Sequence, residues 1–148
     1  MTSPQGRMRP QHPAEHRVVD LLTTFALDAR GGDIVPGLSL TGVSVASGDV
    51  QPGDVFIALD GARAHGATYT AQALAGGAVA VLTDERGAQI IADEPTAAGA
   101  PVLVAEDPRA LAGPVAAWAH DHPAAGFVTV GVTGTNGKTT TTYFVDAA

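Results

Sequence analysis

Apolar positions along this chain recur at two periods, and the switches between them mark out its elements. From Glu15 to Ala29, the residues Val18, Val19, Leu21, Leu22, Phe25, Ala26 and Leu27 fall at near-helical spacing, predicting a helix that Gly31-Gly32 closes. Ile34 to Leu40, with Pro36-Gly37, reads as a short linker. Leu40 to Ala46 then alternates at period two and predicts a strand. Ser47-Gly48-Asp49 and Gln51-Pro52-Gly53-Asp54 carry turn chemistry. Val55 to Leu59 is continuously apolar, as expected of a strand buried on both faces. Asp60 to Gly66 reads as a loop. Thr68 is placed to cap a helix over Tyr69 to Ala75, which Gly76-Gly77 ends. Ala78 to Leu82 predicts the next strand. Thr83 to Gly99 is polar and irregular, with a short helix around Ala88 to Ala92. Pro101 to Val104 is a further strand. Asp107-Pro108 joins a capping acid to a proline at the first helical position. It predicts a helix to about His120, with Pro114 kinking it or shifting its start. Asp121 to Gly126 reads as a linker. Phe127 to Val132 is an apolar, β-branched strand pattern that feeds a glycine-rich turn and then a helix.

Strands separated by helical segments predict an α/β fold, with a mixed sheet and some parallel pairing. A boundary near 121–126 separates a small N-terminal α/β domain, residues 14–122, from residues 127–148. The latter read as the first strand, phosphate loop and helix of a second, incomplete domain, because one strand and one helix cannot bury a core. Met1 to Pro13 is polar, carries three prolines, and reads as a disordered leader rather than a secretory signal.

Composition narrows the classes. The 148 residues are 45% hydrophobic, enough for one globular domain with some chain left over. The net charge of -7 and the lack of a basic patch argue against a nucleic-acid partner. With no cysteine there is no disulfide or thiolate chemistry, in keeping with a reducing, cytoplasmic setting. No run of about 18 apolar residues exists to span a membrane. The expectation is a monomer acting on small molecules.

The chemistry concentrates in Thr133-Gly134-Thr135-Asn136-Gly137-Lys138-Thr139-Thr140. A strand, a glycine loop and a helix in that order present backbone N–H groups to a phosphate chain. The strict eight-residue pattern of a phosphate loop fails, since Val132 stands where its first glycine belongs. Gly134 and Gly137 still permit positive φ and close backbone approach. Lys138 suits the β- and γ-phosphates, and Thr139 suits Mg²⁺. His120-Asp121-His122 reads as solvated linker, not a metal site. His65 reads as structural or exposed, and Asp84-Glu85 as solvated surface charge. Trp118 reads as packing.

This loop resembles that of the Mur ligase family, which joins amino acids to UDP-N-acetylmuramoyl peptides. Gln51 to Gly61, Ala64-His65-Gly66 and Ala71 to Val81 resemble the substrate domain of its MurE-type branch, which adds diaminopimelate or lysine to UDP-MurNAc-L-Ala-D-Glu. The resemblance covers about Leu38 to Val145. It implies ATP held by Gly134, Thr135, Asn136, Gly137, Lys138, Thr139 and Thr140, with Lys138 catalytic on the phosphates and Thr139 on Mg²⁺. It implies UDP-MurNAc-dipeptide contacts at Val45, Ser47, Ala62, Arg63 and Ala64. The family's Asp-Ser-Arg turn reads Ala46-Ser47-Gly48 here, so the serine stays and both charges are gone. Arg63 reads either as a partner of the diphosphate or as a surface residue. The resemblance further implies an acyl-phosphate amide ligase whose remaining catalytic parts lie downstream, so these 148 residues alone are expected to form no amide. A non-catalytic UDP-sugar-peptide module and a MurF-type fragment stay open.

Overall fold

The computed structural model describes residues 10, 12–97, 99–128 and 130–146. Most of the expected leader, and Thr129 of the expected last strand, lie outside them. The elements run β1 (His16–Arg17), α1 (Val18–Phe25), β2 (Asp28–Gly31), β3 (Ser39–Leu40), β4 (Gly42–Ser44), β5 (Asp54–Ile57), α2 (Thr70–Ala75), β6 (Ala80–Thr83), α3 (Glu85–Ala92), β7 (Pro101–Val104), α4 (Pro108–Ala119) and α5 (Lys138–Asp146). Single 3-10 turns sit at Ser47–Asp49, Gly66–Tyr69 and Pro123–Gly126.

Five strands form one sheet in the order β2-β7-β6-β5-β4, and β1 pairs with β3 apart from it. β4 through β7 are parallel, while β2 runs antiparallel to β7. The expected mixed α/β sheet is therefore present.

Alternation along the strands sorts the core into two layers. Val55 and Ile57 of β5, Ala80 and Leu82 of β6 and Leu103 of β7 face Val18 and Leu21 of α1 and Val115 and Ala119 of α4. Phe56, Val81, Val102 and Val104 face the opposite way, onto Ala73 of α2 and Ile91 of α3. Covering both faces explains why β5 and β6 are buried along their whole length and carry the apolar runs Val55 to Ile57 and Ala80 to Leu82. Trp118 packs as expected. It meets the His16 ring at 4.4 Å and Phe25 edge-on at 6.2 Å.

Several expectations are corrected. The first helix ends at Phe25, not Ala29. Ala26 takes a left-handed conformation, and Leu27 donates its N–H to Leu22 O at 3.0 Å. Asp28–Gly31 is instead a strand. Its residues are all exposed, so side-chain pattern could not reveal it. It is held by a ladder that satisfies the otherwise open edge of β7. The single strand expected over Leu40 to Ala46 is split into β3 and β4. The polar stretch after Thr83 holds a full α3, capped by Asp84, whose carboxylate accepts the Gly87 N–H at 2.7 Å. Pro114 lies inside an unbroken α4. Phe127 to Val132 forms no strand among the described residues. Phe127, Val128 and Val130 are exposed, and an apolar run without a ladder partner has nothing to hold it extended. Among the described residues no helix is long and apolar enough to cross a membrane.

Candidate functional site

Two loop systems carry the residues singled out by the sequence. The first opens α5. Gly134 and Gly137 have φ of 154° and 77°, and the second lies in the left-handed region that favours glycine. The Lys138 ammonium donates to the Gly134 carbonyl and closes the loop on itself. Four consecutive threonines then divide into two pairs. Thr141 donates its hydroxyl to Gly137 O at 3.0 Å and Thr142 to Thr139 O at 2.7 Å, as mid-helix threonines do. Thr139 and Thr140 make no such bond to a described residue and stay free beside the loop. The first N–H groups of a helix lack intrahelical partners, so α5 offers them to the same space. Residues 133–140 are exposed throughout. A neutral hydroxyl, an ammonium and aligned N–H groups are a donor set that fits a phosphate chain with its Mg²⁺.

The second system lies beyond the carboxyl ends of β4 and β5, where parallel α/β sheets place their ligands. Val45 is exposed just past β4. Ser44 ties off the turn, donating its hydroxyl to Ala46 O at 2.9 Å. The Ser47 hydroxyl donates to Gln72 Oε1 on α2 at 3.0 Å, so toward a ligand it keeps only acceptor capacity. Past β5, a bridge between Asp60 and His65 closes a short loop whose tip is Ala62, Arg63 and Ala64, all exposed. Among the described residues Arg63 is the one cation with neither an ion pair nor a hydrogen bond. Arg17, Arg30, Arg86 and Arg109 are engaged with Asp20, Glu85, Asp60 and the Asp60 carbonyl, and Lys138 with Gly134.

The base of that loop holds residues whose role the sequence did not reveal. Thr68 does not cap α2. Instead, the His65 ring accepts the Ala67 N–H at Nδ1 (3.0 Å) and caps the 3-10 turn. An acceptor at Nδ1 places the ring proton on Nε2, which faces Asp84 at 3.1 and 3.3 Å. His65 is 3% exposed. Asp84 is thus a cap and a histidine partner, not solvated surface charge. The available signal was an aspartate three residues before a glycine at a helix start, but its partner at position 65 is invisible to local spacing.

Burial pushes the Asp84 carboxyl up. The Gly87 N–H, the His65 ring and the Arg86 guanidinium outweigh that and hold it below its ordinary value. A depressed folded-state pKa adds stability that is complete above the unfolded value, about 3.9, and is lost as pH falls through the folded one. The stability gap between the protein and its Asp84→Asn variant is therefore expected to shrink as pH drops below about 4. Urea midpoints from pH 6 to 2.5 measure it, and a gap constant with pH would contradict this assignment.

A family model described as the Mur ligase family, catalytic domain, matches residues 39–120. The chain is 45% identical over 148 residues to a UDP-N-acetylmuramyl-tripeptide synthetase of Leifsonia xyli subsp. xyli, covering 99% of this chain and 28% of that protein. It is 42% identical over 146 residues to a UDP-N-acetylmuramoyl-L-alanyl-D-glutamate–2,6-diaminopimelate ligase of Streptomyces avermitilis, covering 99% of this chain and 27% of that protein. Among solved structures, MurF from Acinetobacter baumannii aligns with a TM-score of 0.49 at 22% identity, over 68% of this chain and 20% of that one. The chain spans about a quarter of the length of the curated relatives it matches.

Proposed function

The chain belongs to the Mur ligase family, and from that premise we propose that it is the N-terminal part of an ATP-dependent amide ligase. The ligase adds diaminopimelate or lysine to UDP-MurNAc-L-Ala-D-Glu in peptidoglycan precursor synthesis. Residues 14–122 form the substrate domain and 127–148 the start of the ATP-binding domain. The glutamyl carboxylate attacks the γ-phosphorus of ATP, ADP leaves, and the incoming amine displaces phosphate from the acyl phosphate. Lys138 would neutralise phosphate charge, the backbone from Gly134 to Thr140 would cradle it, and the Thr139 hydroxyl would ligate Mg²⁺. Val45, Ser47, Ala62, Arg63 and Ala64 contact the UDP moiety. In this reading the protein works in the cytoplasm, as a monomer.

The observation that carries the substrate half is Arg63. In a chain of net charge -7 it is, among the described residues, the unpaired cation, and it stands at a loop tip beyond the parallel strands, where it can donate to an anionic diphosphate. Calorimetric titration of UDP-MurNAc-L-Ala-D-Glu and of MgATP into the chain tests the reading. A hydrogen bond to a charged group is worth about 1.5–3 kcal/mol, so Arg63→Ala is expected to weaken the UDP ligand about 10- to 100-fold and leave ATP unchanged. Lys138→Met is expected to do the converse. No binding of the UDP ligand, or binding indifferent to Arg63→Ala, would refute the assignment.

A further inference from the structure

We propose that His65 is a positioning residue for the anion-binding loop, acting as a neutral two-sided clamp that fixes where Arg63 stands. This rests on the reading above that Arg63 meets the UDP diphosphate. Gly61 to Ala64 are exposed, so the tip has no packing of its own to define its position. Its location is set at the base. There Gly66 donates its N–H to Leu59 O at 2.8 Å, and a Cβ on Gly66 would come within 2.9 Å of the Leu59 backbone. That contact fixes the loop to β5 alone.

His65 is what ties it to the neighbouring strand. Its ring reaches across to Asp84, which follows β6 and caps α3, while its other nitrogen holds the turn leading into α2. One side chain therefore locks the loop to both flanking helices. Only a ring with an acceptor at Nδ1 and a proton on Nε2 serves both contacts. Asparagine can reproduce the first and glutamine the second, but neither reproduces both. Besides Asp84 on the ring, the charged groups tied to this loop are its own Asp60, Arg86 from the start of α3 and Arg109 from α4. Arg86 lies 3.5 Å from the Asp60 carboxylate, and Arg109 donates to the Asp60 carbonyl. These contacts brace the loop from outside, and Arg86 is largely exposed, so the buried ring carries the clamp.

A loop released from its clamp must be ordered at each binding event, which lowers affinity without removing any ligand contact. His65→Ala and His65→Asn, made in the full 148-residue chain, are compared with Val115→Ala, a core change in α4 on the other face of the sheet. The expected result is a fall of about tenfold or more in affinity for UDP-MurNAc-L-Ala-D-Glu, faster amide exchange at Ala62, Arg63 and Ala64, and unchanged MgATP affinity. Val115→Ala is expected to lower the melting temperature without either effect. If His65→Ala does not fold, Asp84→Asn keeps the shape of the cap, weakens the clamp, and is expected to show the same pattern more mildly. UDP-ligand affinity within twofold of the parent in these variants, or unaltered exchange at the loop tip, would overturn the proposal while leaving the functional reading intact. Failure of the parent chain to bind the UDP ligand would remove both.

Discussion

Phe56→Ala is expected to remove about 3–5 kcal/mol of unfolding free energy, at the upper end of that range. Phe56 is 1% exposed at the centre of the layer beneath α2 and α3. Its neighbours there are small. Ala58, Ala67, Ala73 and Ala97 share the layer with Val50, Val81, Val102 and Val104. Alanines bring helix and sheet backbones together, and Ile91 is the one longer aliphatic side chain buried in this cluster, too little to fill a void the size of the ring. The space vacated by the ring therefore stays largely open, and the cost of a persistent cavity adds to the lost burial. A domain of this size has only about 5–15 kcal/mol in total, so the variant sits near the edge of folding. Urea denaturation followed by Trp118 fluorescence measures it, since Trp118 lies on the other layer and senses unfolding rather than the cavity. A loss below about 1 kcal/mol would mean that the helices close onto the sheet, contrary to the packing described.

Gly87→Ala is expected to destabilise, against the ordinary rule for helices. Alanine is favoured over glycine inside a helix by about 1 kcal/mol, and propensity alone predicts a gain in α3. A Cβ at position 87 would, however, lie 2.0 Å from Thr83 Oγ1 and 2.6 Å from His65 Cε1. Neither neighbour can retreat easily. The Thr83 hydroxyl donates to Ala58 O at 2.9 Å in a buried site, and the His65 ring is held at both nitrogens. Overpacking of this kind costs about 1–3 kcal/mol, which outweighs the propensity term. The net loss is expected in the denaturation midpoint, with weaker UDP-ligand binding as the clamp is pushed aside. A variant as stable as the parent would show that the ring and the threonine can shift, and would weaken the case that His65 is fixed.

Where local pattern and tertiary demand agreed, the elements were legible. β7 begins at Pro101 and ends at Val104 as its apolar run does, and Asp107-Pro108 starts α4 with the expected cap, the Asp107 carboxylate accepting the Ala110 N–H at 3.0 Å. β5 announced its burial because both of its faces meet helices. The failures have one cause in opposite directions. Asp28–Gly31 is a strand although no side chain in it is buried, because the edge of β7 supplies a ladder. The described residues of Phe127 to Val132 form none although they suit a sheet, because no described strand pairs with them.

The site divides along the same line. The glycines, lysine and threonines of 133–140 are neighbours in sequence, so their joint chemistry was readable from spacing. The sequence also fixed the alternation that assigns Phe56 and Ile57 to opposite layers, and the acidic balance of the chain. Only the tertiary structure decided that Arg63 stands unpaired among the described cations, that Ser47 is turned toward Gln72, and that His65 meets Asp84. Each of these depends on which residues distant in sequence the sheet brings together. Periodicity reports how a segment is patterned along itself, and proximity across strands is set by how the whole chain packs.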